Sequence, residues 1–232
     1  KEDFEKIDRQ NQELAVANDR MKRDLNAAAR IQKDLLPTNI PEMAKARFAW
    51  TYRPCDELAG DSLNVFRIDD QHVGFYVLDV SGHGVPAALL SVTVTRSLSG
   101  HEGVFSLATM SGATLQDMNP ANVAASLNDL YPMESNGGHY FTLVYGILNT
   151  ATREFRFTCA GHPGPLLVRP GQPTEQLDIP ALPIGIMEDV TYEDQVITLQ
   201  PGDRLYIHSD GLNEEMNASH EEFGRERLRE TV

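Results

Sequence analysis

The sequence is poor in features that mark several other classes of protein. It contains two cysteines, Cys55 and Cys159, which lie far apart and lack the spacing of a metal-ligand pair, so both thiols are expected to be reduced. No apolar stretch approaches the length of a membrane span, and no secretory signal opens the chain. These absences predict a cytoplasmic protein with no membrane insertion in this segment.

Basic residues are also scarce. The 232-residue chain carries 20 Lys and Arg against 34 Asp and Glu, which gives a formal net charge of -14 at pH 7. Nucleic acid or an anionic membrane surface would repel such a chain, so neither is expected as a partner. The length allows one large domain with an appendage, and it is ample for a sizeable core.

Glycine and proline are absent from residues 1–36, and a heptad pattern runs through this segment. Its a positions are Phe4, Asn11, Asn18, Leu25 and Gln32, and its d positions are Ile7, Leu14, Met21, Ala28 and Leu35. Asparagine at a positions fixes the register and favours a two-stranded parallel coil, so the pattern predicts a homodimer through residues 1–36. A single amphipathic helix that lies against the rest of the chain is the alternative.

One stretch joins a strand pattern to a glycine-rich turn that carries an acid. Apolar residues run from Val73 to Leu78, as expected of a strand buried on both faces, and Asp79 follows directly. The glycines of the Ser-Gly-His-Gly turn at 81–84 let the backbone turn tightly, and a helix is predicted over 87–98. A strand, an acidic glycine-rich turn and a helix in this order are typical of a functional site, although Asp79 alone could equally cap the helix.

Two further acids stand beside glycines at the ends of predicted strands. Asp210 follows the apolar run 205–207, and Asp61 opens the strand that precedes the central one. Hard divalent cations take oxygen ligands from carboxylates, backbone carbonyls and water. Three carboxylates placed in this way therefore predict a metal centre.

The remaining pattern alternates short strands with a few helices. Strands are predicted over 48–53, 61–68, 72–80, 141–148 and 154–159, with a second sheet formed by strands near 165–168, 194–199 and 204–208. Asn119 and Pro120 predict the start of a helix that ends near Tyr131, and a last helix is predicted from Glu221 onward. Residues 99–119 are predicted to be a loop or a broken helix. The whole fits an α+β class of layered antiparallel sheets with helices outside.

Seven short motifs carry a resemblance to a known family. They are ARIQKDLLP at 29–37, AGD at 59–61, DVSGHGVPAA at 79–88, YFT at 140–142, CAGHP at 159–163, LPIG at 182–185 and SDGLNE at 209–214. As an ordered set they resemble the PPM-type metal-dependent Ser/Thr protein phosphatases, in the bacterial branch that includes the sporulation and stress-response regulators SpoIIE and RsbU. The resemblance extends from about Ala27 to the end of the chain.

The resemblance implies a fold and a domain organisation. Residues 37–232 would form a central β-sandwich flanked by helices, with metals at one end, and residues 1–36 would form a coiled-coil linker from an upstream sensor or receiver domain. Because the sequence begins at Lys1 inside a helical pattern, we expect it to be a fragment of a longer protein.

The resemblance also implies roles for individual residues. Asp79 would bridge two metal ions, Asp61 and the backbone carbonyl of Val80 would hold one ion, and Asp210 would hold the other. Asp61, Asp79 and Asp210 would thus be the catalytic carboxylates. The ions would be Mn²⁺ or Mg²⁺, which suit oxygen-only ligands. No phosphoenzyme is needed, so no Ser or Cys nucleophile is expected.

Two histidines, His83 and His162, lie in the glycine-rich motifs. They are expected to hold their turns by hydrogen bonds to the backbone rather than to transfer protons.

Two departures from the family pattern bear on function. Asn64 stands where many relatives have a second aspartate. The sequence also stops at Val232, before the Asp-Asp-hydrophobic-Thr motif that brings a further metal ligand, so either the last strands are missing or that ligand is lost.

These features favour a metal-dependent protein serine/threonine phosphatase in bacterial signalling. By resemblance, its substrate would be a phosphorylated anti-sigma-factor antagonist, and an upstream sensor or receiver domain would control it. The alternative is a pseudophosphatase, in which the same fold binds a partner protein as an adaptor without catalysis. The aspartates favour the enzyme, whereas Asn64 and the missing terminal motif favour the adaptor.

Overall fold

A computed structural model of the chain describes residues 2–43, 45–54, 57–99 and 119–232. Cys55 and residues 100–118 of the predicted loop lie outside the described residues. The helices are α1 (Glu2–Lys33), α2 (Val85–Ser99), α3 (Pro120–Leu130), α4 (Gly211–Glu214) and α5 (Arg225–Thr231), and a 3₁₀ turn spans Met133–Asn136. The strands are β1 (Ser62–Arg67), β2 (His72–Val80), β3 (Phe141–Asn149), β4 (Glu154–Ala160), β5 (Leu166–Val168), β6 (Glu175–Gln176), β7 (Gln195–Thr198) and β8 (Arg204–Tyr206).

The strands form two antiparallel sheets. The larger has the order β1-β2-β3-β4-β7, and the smaller has the order β6-β5-β8. The prediction that the strand near 194–199 belongs to the second sheet is therefore wrong. This strand, β7, pairs with β4 and places Ile197 opposite Phe155, while the short strand β6 joins the second sheet in its place.

The larger sheet is covered on both faces, which is why β2 is an almost continuous apolar run. On one face Tyr76 and Leu78 pack with residues of α2 and α3, such as Val94 and Leu127. On the other face Phe75 packs with β3 and β4 and with residues of the smaller sheet. Successive side chains of a strand point to opposite faces, so one strand contributes to both cores. The predicted α+β layered fold with flanking helices is confirmed.

Two local predictions are wrong at the edges of this fold. Residues 48–53 form no strand, because Phe48 packs its side chain against Phe75, at 6.4 Å between ring centroids, without backbone pairing to β1. The last helix begins at Arg225 rather than Glu221. Before it, the chain forms a turn in which Met216 pairs with Glu222, and Gly224 adopts a positive φ of 82° at the helix start.

The helix α1 extends away from the sheets over most of its length. The apolar heptad residues Phe4, Ile7, Leu14 and Met21 are 79%, 53%, 59% and 58% exposed. Over this part, the alternative of a helix lying against the rest of the chain is therefore not observed. Toward its C-terminal end, α1 meets the domain: Met21 and Leu25 line a cavity with Leu58 and Val85, and the side chain of Gln32 is buried.

Within the described ranges, no helix is both long enough and apolar enough to cross a membrane.

Candidate metal centre

Three aspartates from distant segments meet at one end of the larger sheet. Asp79 is the penultimate residue of β2, and Asp61 directly precedes β1. Because Ser62 pairs with Leu78 in the β1–β2 ladder, Asp61 lies beside Asp79 at the next position. Asp210 comes from the segment between β8 and α4, and its carboxyl is hydrogen-bonded to that of Asp79. Asp79 therefore faces two other carboxyls and does not cap α2.

Burial and neighbouring carboxyls alter the protonation of Asp61 and Asp79. Burial, followed by the neighbouring charges of Asp61 and Asp210, raises the pKa of Asp79 from 3.8 to about 8. Burial also raises the pKa of Asp61, with a further contribution from the charge of Asp210. Without a cation, Asp79 is accordingly protonated for the most part at neutral pH and is hydrogen-bonded to its neighbours. Like-charged groups held this close favour the binding of a cation.

The donor set consists of oxygen atoms, which suit hard divalent cations. Among the described residues, no group of three or more His, Cys, Asp or Glu side chains is arranged to hold a single ion. The carboxyl of Asp79 is hydrogen-bonded to those of both Asp61 and Asp210. Each pair offers two carboxylates, and water and backbone carbonyls can complete an oxygen shell of the kind that Mg²⁺ and Mn²⁺ prefer.

The backbone carbonyl of Val80 faces Gly60, in the segment that carries Asp61. If the β1–β2 register is continued beyond the strand ends, Gly60 lies opposite Val80. A Cβ at Gly60 would come within 2.8 Å of the Val80 carbonyl oxygen. Real Cβ atoms essentially never make so short a contact. Glycine at position 60 thus keeps open the space in front of an oxygen that could ligate a metal.

Three hydrogen bonds that the sequence did not predict hold Asp61 and the segment just before it. The Ser209 hydroxyl donates to Asp61 Oδ2 at 2.8 Å, which ties the Asp210 segment to Asp61. The Gln32 side chain donates to the Ala59 carbonyl at 2.6 Å and accepts from the Ala59 amide at 3.2 Å. The last turn of α1 is therefore joined to the segment that carries Asp61. Gln32 lies inside a motif of the resemblance, but nothing in the motif indicated this contact.

His162 holds the Asp210 segment from the opposite side, as expected from its glycine-rich motif. Its Nε2 donates to the His208 carbonyl at 2.9 Å, and because the ring is neutral, its Nδ1 accepts from the Thr142 hydroxyl at 2.7 Å. Burial lowers the pKa of His162 from 6.5 to about 4. The role of a proton donor at neutral pH is thus excluded by the same burial that makes His162 a structural link.

We expect His162 to make the fold sensitive to acid. The unfolded chain binds a proton at this histidine near pH 6.5, whereas the folded chain resists protonation until about pH 4. The free energy of unfolding should therefore fall as pH falls through this window, by up to about 3 kcal/mol. Gln has no such titration and retains a donor for the His208 carbonyl. Urea unfolding at pH 7 and pH 4.5 should show a smaller difference for His162→Gln than for the wild type.

The exposed His83 supplies the control for this prediction. His83→Gln should keep the wild-type difference between pH 7 and pH 4.5, because His83 is exposed and takes no part in the buried contacts of His162. Equal pH dependence in His162→Gln and the wild type would contradict the role given to His162.

His83 and Asn64 are the other two residues that the sequence singled out. His83 is exposed in the turn after β2, and the backbone contacts expected of it are made by His139 instead. Asn64 lies in β1 and accepts a hydrogen bond from the Val65 amide at 2.8 Å through its own side-chain oxygen. That oxygen is therefore engaged along the strand.

Comparison with known proteins identifies a family and relatives of the chain. The family model for stage II sporulation protein E (SpoIIE) matches residues 69–232. The chain is 26% identical over 195 residues to phosphoserine phosphatase RsbP of Bacillus subtilis, covering 82% of this chain and 45% of RsbP. It is 24% identical over 206 residues to phosphoserine phosphatase RsbU of the same organism, covering 88% of this chain and 58% of RsbU. The chain thus spans about half the length of these curated relatives.

A solved structure supports the fold independently. The SiaA-PP2C domain of Pseudomonas aeruginosa superposes with a TM-score of 0.72 at 20% identity, covering 92% of this chain and 82% of that domain. At this identity, the likeness concerns the fold, which is that of PP2C-type phosphatase domains. The family match extends over most of the chain and includes Asp79 and Asp210. The chain belongs to the SpoIIE family.

Proposed function

We propose that the chain is the catalytic part of a metal-dependent protein serine/threonine phosphatase. The observation that carries the proposal is the meeting of three aspartates from three chain segments, with Asp79 in contact with both others. Asp61, Asp79, Asp210 and the Val80 carbonyl would hold two Mn²⁺ or Mg²⁺ ions. The relatives RsbP and RsbU are phosphoserine phosphatases, which agrees with this reaction.

The chain's own residues would contribute in specific ways. Two bound divalent ions would supply an activated water and would neutralise charge on the phosphate. Asp79 would give up its shared proton as the ions bind, and Ser209 and Gln32 would keep Asp61 in position. Cys159 is fully buried, and burial raises the pKa of its thiol to about 12. A cysteine phosphoenzyme at this position is therefore excluded.

The cellular role extends this proposal. The substrate would be a phosphorylated anti-sigma-factor antagonist in the cytoplasm, and dephosphorylation would release a sigma factor. Residues 37–232 would form the phosphatase domain, and residues 1–36 would transmit a signal from an upstream sensor or receiver domain. The exposed apolar residues of α1 support a role for this helix in contacts beyond the domain itself.

Hydrolysis assays test the proposed reaction. The full-length protein would be assayed on a generic phosphate ester and on a phosphoserine protein, with and without Mn²⁺, beside its Asp79→Ala variant. We expect turnover that requires Mn²⁺ and is lost in the variant. Absence of turnover on both substrates would contradict the proposal.

A pseudophosphatase adaptor is the second candidate. It is favoured by the absence, among the described residues, of three side chains arranged around one ion, and by Asn64, whose oxygen is engaged by the Val65 amide. An adaptor would bind its partner protein equally well with and without Mn²⁺. Metal-independent binding together with no turnover would favour this function.

We also propose that residues 1–36 form a parallel homodimeric coil. Asn11 and Asn18 occupy heptad positions a on the exposed part of α1. In a parallel dimer, each would face the same asparagine of the partner helix. Replacing both with Leu should bury apolar surface there and tighten the dimer at least about tenfold. Analytical ultracentrifugation over a concentration series would measure the change. An unchanged monomer–dimer equilibrium and unchanged thermal stability would count against a coiled-coil seam.

A further inference from the structure

We propose that His139 is a positioning residue of the metal centre, which fixes the turn after Asp79 and Val80 by holding Ser81. The inference rests on the proposed function, because it concerns the same two-ion site. His139 lies just before β3 and is half-buried, and no motif of the sequence analysis included it.

All three polar groups of Ser81 are held by the two residues that precede β3. The Ser81 amide donates to the Tyr140 carbonyl at 2.8 Å, and the Tyr140 amide donates to the Ser81 hydroxyl at 3.0 Å. His139 Nδ1 donates to the Ser81 carbonyl at 2.7 Å. The Ser81 hydroxyl thus takes the place that a backbone carbonyl would have in the β2–β3 ladder. This substitution leaves the Ser81 carbonyl available to His139.

These contacts orient the peptide groups on both sides of Ser81. A trans peptide is planar, and its N–H and C=O point in opposite directions. The amide of Ser81 is directed to Tyr140, just before β3, so the carbonyl of the same peptide, which belongs to Val80, points the other way, toward Gly60. His139 fixes the next peptide, between Ser81 and Gly82. The proposed metal-ligating oxygen therefore depends on how firmly Ser81 is held.

The local chain is built to bring the imidazole to this place. Gly137 and Gly138 have positive φ angles of 64° and 85°, which turn the chain sharply out of the preceding 3₁₀ turn. The amides of Gly138 and His139 donate to the carbonyls of Met133 and Asn136 at 3.0 and 3.2 Å. On the other side, a Cβ at Gly82 would lie 3.4 Å from His139 Cε1, so the ring packs directly over that turn.

The chemistry of the contact defines a matched set of variants. A carbonyl only accepts hydrogen bonds, so Nδ1 of His139 must carry the hydrogen. The side-chain amide of Asn can place its N–H close to the position of Nδ1, whereas the amide of Gln reaches the position of Nε2. His139→Asn should therefore preserve the contact with Ser81, and His139→Ala and His139→Gln should lose it.

Mn²⁺ binding by the full chain tests the inference. Calorimetric titration with Mn²⁺ alone should show affinity lowered about tenfold or more in His139→Ala and His139→Gln, because groups that orient metal ligands typically have effects of this size. His139→Asn should stay within about threefold of the wild type, and thermal unfolding of the metal-free variants should change little. The exposed His220, changed to Asn, serves as the control.

The outcomes separate this inference from the proposed function. Mn²⁺ binding by the wild type without any turnover would contradict the phosphatase and leave the positioning role supported by the variant series. Equal Mn²⁺ affinity in the wild type and His139→Ala would overturn the positioning role, whatever the turnover. Imidazole ¹⁵N NMR showing the hydrogen of His139 on Nε2 alone would also overturn it. A wild type that binds no Mn²⁺ would contradict both.

Discussion

Asp79→Asn should lower Mn²⁺-dependent phosphate hydrolysis by about a thousandfold or more, because the carboxylate between the two proposed ions is lost. The same change should raise the melting temperature of the metal-free protein. Burial and the neighbouring Asp61 and Asp210 raise the pKa of Asp79 to about 8, so this carboxyl must take up a proton when the chain folds at neutral pH. That uptake costs free energy of folding, and the uncharged amide of Asn avoids the cost. Hydrolysis of a phosphoserine protein and thermal unfolding with and without Mn²⁺ would measure both effects.

The opposite changes in activity and stability distinguish a metal site from a structural one. Mn²⁺ should raise the melting temperature of the wild type and leave that of Asp79→Asn nearly unchanged, since a ligand stabilises only the state that binds it. If Asp79→Asn lost stability in the metal-free state, Asp79 would have a structural role instead. Retained activity in this variant would contradict the proposed centre directly.

Gly60→Ala is expected to lower Mn²⁺ affinity and turnover together, by about a hundredfold in turnover. The new Cβ would approach the Val80 carbonyl oxygen to 2.8 Å, so the segment before Asp61 must shift away from β2. Both proposed ligands of one ion would then be displaced. Mn²⁺ titration and steady-state kinetics on a phosphate ester would measure the loss.

Gly211→Ala provides the matched control, because Gly211 also adjoins one of the three aspartates. A Cβ at Gly211 would meet nothing within 4 Å, and its φ is not positive. This variant should keep Mn²⁺ affinity and turnover close to those of the wild type. Equal effects of the two substitutions would show that the steric argument at Gly60 is wrong.

Local sequence pattern was sufficient to predict the elements that do not depend on distant partners. The apolar run before Asp79 predicted β2, and Asn119 predicted the start of α3, where its side chain accepts from the Asn122 amide. The sheet that β7 joins could not be predicted in this way. That choice is made by the side chains of Phe155 and Ile197, which meet only after folding.

The same distinction applies to the site. Asp61, Asp79 and Asp210 stood out because each adjoins a glycine or a glycine-rich turn at a strand end, and the fold brings them together. The groups that hold them could not be identified beforehand. Ser209 reaches Asp61 across 148 positions and Gln32 reaches Ala59 across 27, and serine and glutamine are common in roles that have nothing to do with a site.

The order of the strands has a consequence for how the molecule folds. The chain passes from the larger sheet to the smaller after β4, returns with β7, and leaves again for β8. Neither sheet is thus formed by one continuous part of the sequence. The larger sheet lacks one of its two edge strands, β7, until residues 195–198 have been synthesised. The two layers should therefore unfold as one cooperative unit, and folding should be slow because so many contacts join distant positions.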